Sequence, residues 1–129
     1  MSSIYFSHPI RTYATPEALE VLWALQQEYP NYKIIDPEDY DTPLSWKSCK
    51  QCMDEHMKKI VFPMIEICEK FAIWAPIKTC GVHCELTYAS QLGKPCIYIS
   101  NQFGEIDFED ITLQDYHRVE SQTLTEEVL

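Results

Sequence analysis

Gly81-Val82-His83-Cys84-Glu85-Leu86-Thr87-Tyr88-Ala89, followed at once by Leu92-Gly93-Lys94-Pro95 and the apolar run Cys96 to Ile99, reads as an amphipathic helix start, a short loop and a buried strand. The pattern puts Glu85 in the first turn of that helix, where the macrodipole favours an ionised carboxylate. The helix start lies close to the carboxyl edge of the preceding apolar run, Phe71–Trp74. Open α/β sheets hold their ligands at that edge, and an ionised carboxylate there can act as a nucleophile. The plainer reading of Glu85 is a solvated carboxylate that does no more than complement the helix dipole.

Outward from this stretch the chain alternates strands and helices. Ile4–Ser7 is bounded by His8-Pro9 and reads as a buried first strand. Thr15-Pro16-Glu17 is a helix start: Thr caps, Pro fits the first helical position, and Glu suits the positive end. Leu19, Leu22, Trp23 and Leu25 are expected to form its apolar face, and the helix ends before Pro30. Tyr32–Ile35 reads as a second strand closed by Asp36-Pro37. A further helix is expected from about Ser45 through Cys52, Met53, His56, Met57 and Ile60, with Pro63 kinking it or starting another through Cys68. Phe71–Trp74 is the third strand, Val82–Gln91 a helix, Cys96–Ile99 the fourth strand, and a short helix is expected from Thr112 to about Val119. This order predicts an α/β fold with a mostly parallel sheet of four to five strands and helices on both faces. One domain over residues 1–119 is expected, followed by an acidic, frayed tail over 120–129.

A chain of 129 residues suits one domain, and a 46% hydrophobic fraction supports a full core. No apolar run approaches the roughly 20 residues of a membrane span, and the N-terminus lacks the basic-then-apolar pattern of a secretory signal. A cytoplasmic protein is the expectation. The net charge of −10 argues against a nucleic-acid partner, since neutralising a phosphate backbone takes clustered Lys and Arg. A small phosphorylated ligand needs only one or two cations and some backbone amides.

Six cysteines raise the question of a metal. Cys49-x-x-Cys52 has ligand spacing and Cys80-x-x-x-Cys84 is looser; His56 or His83 offer substitutes. Cys68 and Cys96 sit in apolar surroundings and read as small core residues. Reduced, unliganded thiols are the favoured reading, with no metal or cofactor expected; zinc-bound or disulfide-bonded cysteines are the alternatives.

The helix start, its Tyr88-Ala89 pair and Leu92-Gly93-Lys94-Pro95, together with the opening Ile4-Tyr5-Phe6-Ser7-His8-Pro9-Ile10-Arg11, resemble the nucleoside 2-deoxyribosyltransferase-like family, which includes 2′-deoxynucleoside 5′-monophosphate N-glycosidases. The likeness covers roughly residues 3–100. It implies a flavodoxin-like (Rossmann-like) sheet, a nucleoside or nucleotide as ligand, assembly as a homodimer or larger, and Glu85 as the catalytic nucleophile on the sugar C1′. The motive in the sequence for assembly is an excess of large apolar residues, among them Trp46, Trp74, Tyr88 and Phe103.

The loop Ser7, His8, Pro9, Ile10, Arg11 follows a strand and offers amides, hydroxyls and a guanidinium, a cradle for a phosphate or sugar hydroxyl. Its plainer reading is a rigid His-Pro turn with Arg11 on the surface. Relative to the family, His8 replaces a Gly and brings an imidazole towards the sugar or base. Asp36 after the second strand, and Gly81 and His83 beside Glu85, complete the expected substrate-binding set. The resemblance also implies an Asp in the helix before the third strand, but without gaps that position falls on Val61, which moves no proton; Asp54 is the nearest substitute. A slow hydrolase, an enzyme for an unusual nucleotide and a non-catalytic nucleotide binder are all consistent with that departure. A small zinc-stabilised interaction protein is the third class.

Overall fold

The computed structural model describes residues 2–40, 57–77, 79–112 and 115. Its strands are β1 (Ser3–Ser7), β2 (Lys33–Ile35), β3 (Lys70–Ile73), β4 (Cys96–Gln102) and β5 (Glu105–Ile111), and its α-helices are α1 (Pro16–Glu28), α2 (Phe62–Ile67) and α3 (Cys80–Gln91). The strands form one sheet in the order β2-β1-β3-β4-β5. Pairing is parallel except between β4 and β5. This is the expected α/β, flavodoxin-like arrangement in three layers. Strand order reverses between β1 and β3, so the crevice at their carboxyl ends is the topological switch point.

Alternation along the strands sorts the core into two layers. Ile4, Phe6, Ala72, Trp74, Ile97 and Ile99 pack with Ala18, Val21 and Leu25 of α1. Tyr5, Phe71, Ile73 and Cys96 face the other way, against Ile65 of α2 and Val82, Leu86 and Ala89 of α3. Burying one Leu- or Phe-sized side chain contributes about 1.5–3 kcal/mol, so these two layers carry most of the stability.

Local signals set the helix ends. Thr15 Oγ1 accepts from the Ala18 amide at 3.2 Å with Pro16 at the first helical position, and Thr79 Oγ1 accepts from the Val82 amide at 3.3 Å. Helix α3 closes with Gly93 at φ +69°, and the Lys94 amide bonds the Ala89 carbonyl at 3.1 Å. Lys94 then donates through Nζ to the Glu66 and Cys68 carbonyls at 2.8 and 2.7 Å. The Leu-Gly-Lys-Pro run thus ends one helix and caps the chain leaving another.

Several expectations change. The inner face of α1 is Ala18, Val21 and Leu25; Leu19 and Trp23 are 63% and 67% exposed. Leu25 is buried as expected and Leu22 packs against the same core, with Ala18 and Val21 completing the inner face. Helix α3 begins at Cys80, two residues earlier than expected. Trp74 is only 3% exposed and belongs to the monomer's core, whereas Phe103 is fully exposed. Strand β4 runs on to Gln102 and turns into β5 through Phe103 and Gly104, both left-handed (φ 55° and 89°). That is the signature of a two-residue hairpin turn matched to strand twist. In β5, Ile106 and Phe108 pack on the α1 side while Glu105, Asp107 and Glu109 are exposed, an edge whose charges discourage further pairing. The expected helix near Ser45, Trp46, Asp54, Cys49, Cys52, the helix from Thr112 beyond Asp115, and the 120–129 tail lie outside the described residues. Among the described residues no helix is long and apolar enough to cross a membrane.

The hairpin supplies a direct test. A Cβ at Gly104 would meet nothing within 4 Å, so substitution there is opposed by backbone conformation alone. Gly104→Val should cost about 1–2 kcal/mol in urea denaturation, whereas Phe103→Asn should be stabilising, because Asn tolerates the left-handed region.

Candidate active site

Strand alternation puts Tyr5 and Ser7, two residues apart, on the α3 side of the sheet. Helix α3 buries Val82, Glu85, Leu86 and Ala89, so Glu85 sits within an otherwise apolar helical stripe. The three side chains meet: Ser7 Oγ donates to Glu85 Oε1 at 2.6 Å, and the Tyr5 hydroxyl donates to Glu85 Oε2 at 3.0 Å. Glu85 is 7% exposed and Ser7 fully buried. Trp74 donates its amide to the Ser7 carbonyl at 3.0 Å, locking the end of β1 to the chain leaving β3. Glu85 therefore lies at the switch point, in contact with the first residue of the Ser7–Arg11 loop.

Because α3 starts at Cys80, Glu85 is its sixth residue and lies beyond the first turn, where the dipole effect fades. The two hydroxyls, rather than the helix terminus, satisfy the carboxylate. Taking a carboxylate out of water costs several kcal/mol, and each hydrogen bond to a charged group returns about 1.5–3 kcal/mol. The balance is near even. A Leu at the same place would add about 1.5–3 kcal/mol with no such cost, so packing alone gives no reason for a carboxylate here.

The neighbouring loop is ordered by a second cluster. His8 has a side chain with no exposed surface; its Nε2 lies 2.8 Å from Asp36 Oδ1 and its Nδ1 2.7 Å from Thr12 Oγ1. The ring stacks on Phe6 at 4.4 Å and lies near Tyr13 and Trp74. Asp36 also accepts from the Glu38 amide at 3.0 Å, and Glu38 Oε1 accepts from the amide of Ala14 at 2.9 Å. Ala14 has φ +58°, a left-handed backbone held by these ties.

The expected set thus divides. Ser7 and Glu85 are brought together. His8, expected at the ligand, is buried, and it engages Asp36, which is itself 8% exposed; both are committed to holding the loop. Pro9 is buried, Ile10 half-buried, and Arg11 is exposed on the short 3₁₀ turn Ile10–Thr12. Gly81 is half-buried in the first turn of α3, and its backbone imposes no need for glycine. His83 is exposed, two residues from Glu85 and so on the opposite side of the helix. Val61 is 2% exposed in the core. Tyr5 was not among the expected residues; its place two before Ser7 on the same strand was the available signal.

His8, Asp36 and Glu38 place candidate ligand atoms within 4.8 Å of one another. The His8–Asp36 separation of 2.8 Å is a hydrogen-bond distance, shorter than the roughly 3.3 Å between two ligands of a tetrahedral ion with bonds near 2 Å. The cluster as built is a hydrogen-bonded clasp. Cys80 and Cys84 are exposed on α3, while Cys68 and Cys96 are buried as the sequence suggests. No family model and no curated protein matches the chain.

Burial pushes the Cys68 thiol up to about 11, only partly offset by the Lys94 charge. The thiolate is the reactive form, so at pH 8 Cys68 stays a neutral thiol. Iodoacetamide labelling of the native protein followed by peptide mapping should modify Cys80 well before Cys68, the difference vanishing in denaturant.

Proposed function

We propose that the protein cleaves the N-glycosidic bond of a nucleoside or nucleotide, with the Glu85 carboxylate attacking C1′ of the sugar. The observation that carries this reading is a carboxylate set into an apolar helical stripe at the sheet's switch point and aimed by two hydroxyls. Attack forms an ester between Glu85 and C1′ while the base departs with the bonding electron pair. Water, or a second base in a transfer reaction, then takes C1′ and regenerates the carboxylate. In hydrolysis, water supplies the hydroxyl on C1′ and the proton on the base. Ser7 and Tyr5 orient the carboxylate, so that its approach to C1′ is set before substrate arrives. The resemblance of the Gly81–Pro95 stretch to the deoxyribosyltransferase-like family points to the same chemistry.

A second reading is a non-catalytic nucleotide binder in which Glu85 holds a ribose hydroxyl. Buried Val61, at the position where the resemblance implies an Asp, favours it. Base release from a panel of nucleosides and their monophosphates, followed chromatographically, separates the two. In the enzymatic case Glu85→Gln folds with native circular dichroism and falls to the uncatalysed rate; in the binding case no base is released by either protein.

For a phosphorylated substrate, exposed Arg11 is the cation proposed for the phosphate, through the paired hydrogen bonds a guanidinium can offer. The net charge of −10 opposes an anionic ligand at long range, so local donors carry the affinity. Arg11→Ala should weaken binding of a nucleoside monophosphate roughly 10- to 100-fold, the equivalent of one charge-assisted contact, and leave the bare nucleoside unaffected in titration calorimetry. Equal losses for both would assign Arg11 to the loop's own structure.

We also propose a homodimer. Of the residues behind that expectation, Trp74 is core and Tyr88 stacks on Phe62 within the monomer at 4.0 Å, so the proposal now rests on exposed Leu19, Trp23 and Phe103. Light scattering at micromolar concentration should give twice the chain mass, and Trp23→Glu should halve it.

A further inference from the structure

We propose that the β4–β5 hairpin is the base-reading wall of the Glu85 site, and that its Ser100–Asp107 pair selects a nucleobase carrying an exocyclic amino group. The inference rests on the nucleoside reading of Glu85 given above, and on sheet register. Ser7 pairs with Ile73 and Ile73 with Tyr98, so these three residues stand level at the carboxyl edge. Strand β3 ends there, whereas β4 continues four residues further to Gln102 and β5 returns beside it. At about 3.3 Å per residue, this two-stranded arm rises roughly 13 Å past the level of Ser7. Alternation decides which face of the arm looks towards Glu85. Cys96 and its partner Ile111 belong to the core layer beneath α3, and Tyr98 packs on the same layer. The next pairs on that face are Ser100 with Asp107 and, further out, Gln102 with Glu105. Ile99, Ile106 and Phe108 lie on the opposite face, towards α1. The arm is thus apolar towards α1 and polar on the side of Tyr5, Ser7 and Glu85.

Strand β4 lies two strands from β1, and Ser100 stands two residues past the edge, so register puts its backbone about 12 Å from that of Ser7. The sugar and base of one nucleoside fill such a gap. Ser100 is half-buried and Asp107 exposed, and neither side chain is hydrogen-bonded among the described residues. An aspartate carboxylate accepts hydrogen bonds and has none to give. An amino group turned towards it makes a charge-assisted bond, whereas an oxo group at the same ring position sets lone pairs against lone pairs. The order of groups along the edge also suits a nucleotide. The turn that carries Arg11 is tied to the β2 side through His8–Asp36 and Ala14–Glu38, Glu85 is bonded to β1, and the arm rises from β4. Phosphate, sugar and base follow one another in the same sequence.

The test uses the whole protein and two pairs of 2′-deoxynucleoside monophosphates in which an amino group replaces an oxo group: deoxycytidine against deoxyuridine, and deoxyadenosine against deoxyinosine. Titration calorimetry on wild type and on Glu85→Gln should show the amino member of at least one pair bound about 10- to 100-fold more tightly, the scale of one hydrogen bond to a charged group. In base release by wild type, kcat/KM should follow the same ratio. Asp107→Asn should erase the preference, because an amide can both donate and accept. Asp110→Asn makes the same charge change on the opposite face of β5 and should keep it. Backbone amide signals of Ser100 and Asp107 in nitrogen-15 spectra should move as ligand is added. Equal affinities within both pairs overturn the proposal, as does a preference that survives Asp107→Asn or is lost equally in Asp110→Asn. Signals of Ser100 and Asp107 that stay still while ligand binds overturn it too. Base release without an amino preference leaves the glycosidase reading standing and sinks the arm's role. An amino preference with no base released does the reverse, and no binding of any nucleotide ends both.

Discussion

A single buried carboxylate, bonded from α3 to two hydroxyls of β1, connects the parts of the molecule on which any chemistry here depends. Its donors lie 78 and 80 residues away in the chain. They reach it because β1 and β3 are parallel neighbours and α3 follows β3 on the side to which Tyr5 and Ser7 point. The register Ser7↔Ile73 brings the end of β1 level with the end of β3. A shift of one residue in that pairing would turn Tyr5 and Ser7 to the α1 side and take both hydroxyls away from Glu85.

The same edge carries a second buried polar group, and the two are adjacent in the chain. Ser7 serves Glu85 on one side of the sheet, and His8 serves Asp36 beside the following turn. Low dielectric makes such networks costly when incomplete and rigid when every partner is present. Here His8, Thr12, Asp36 and Glu38 are joined by hydrogen bonds across the loop, and the left-handed Ala14 is held by Glu38. A loop ordered this way loses little entropy when a ligand arrives, which suits the function proposed for Glu85.

The parts legible along the chain were those set by neighbours in sequence. Thr15-Pro16-Glu17 caps and starts α1 as its residue types require, Leu92-Gly93-Lys94-Pro95 ends α3 with glycine in the left-handed region, and the apolar runs fall on strands. Strand β5 is not legible along the chain because its alternation of Ile106 and Phe108 is embedded among Glu105, Asp107, Glu109 and Asp110, which read as acidic chain. Of the apolar residues the pattern assigns to the inner face of α1, Leu25 and Leu22 pack inward and Leu19 and Trp23 do not, because large side chains outweigh Ala18 in a sequence pattern whereas close packing on a sheet accepts the small one.

From sequence alone came the alternation of strands and helices, the caps, and Glu85 as a carboxylate near the carboxyl edge of a parallel sheet. These follow from periodicity and capping, which act over a few residues. Tertiary structure decided what Glu85 is bonded to, moved it out of the helix dipole's reach, and buried His8 against Asp36 in place of presenting it to a ligand. It also separated His83 from Glu85 and set Val61 in the core. Those outcomes depend on strand order, register and helix rotation, and partners tens of residues apart leave no trace in the spacing of either one.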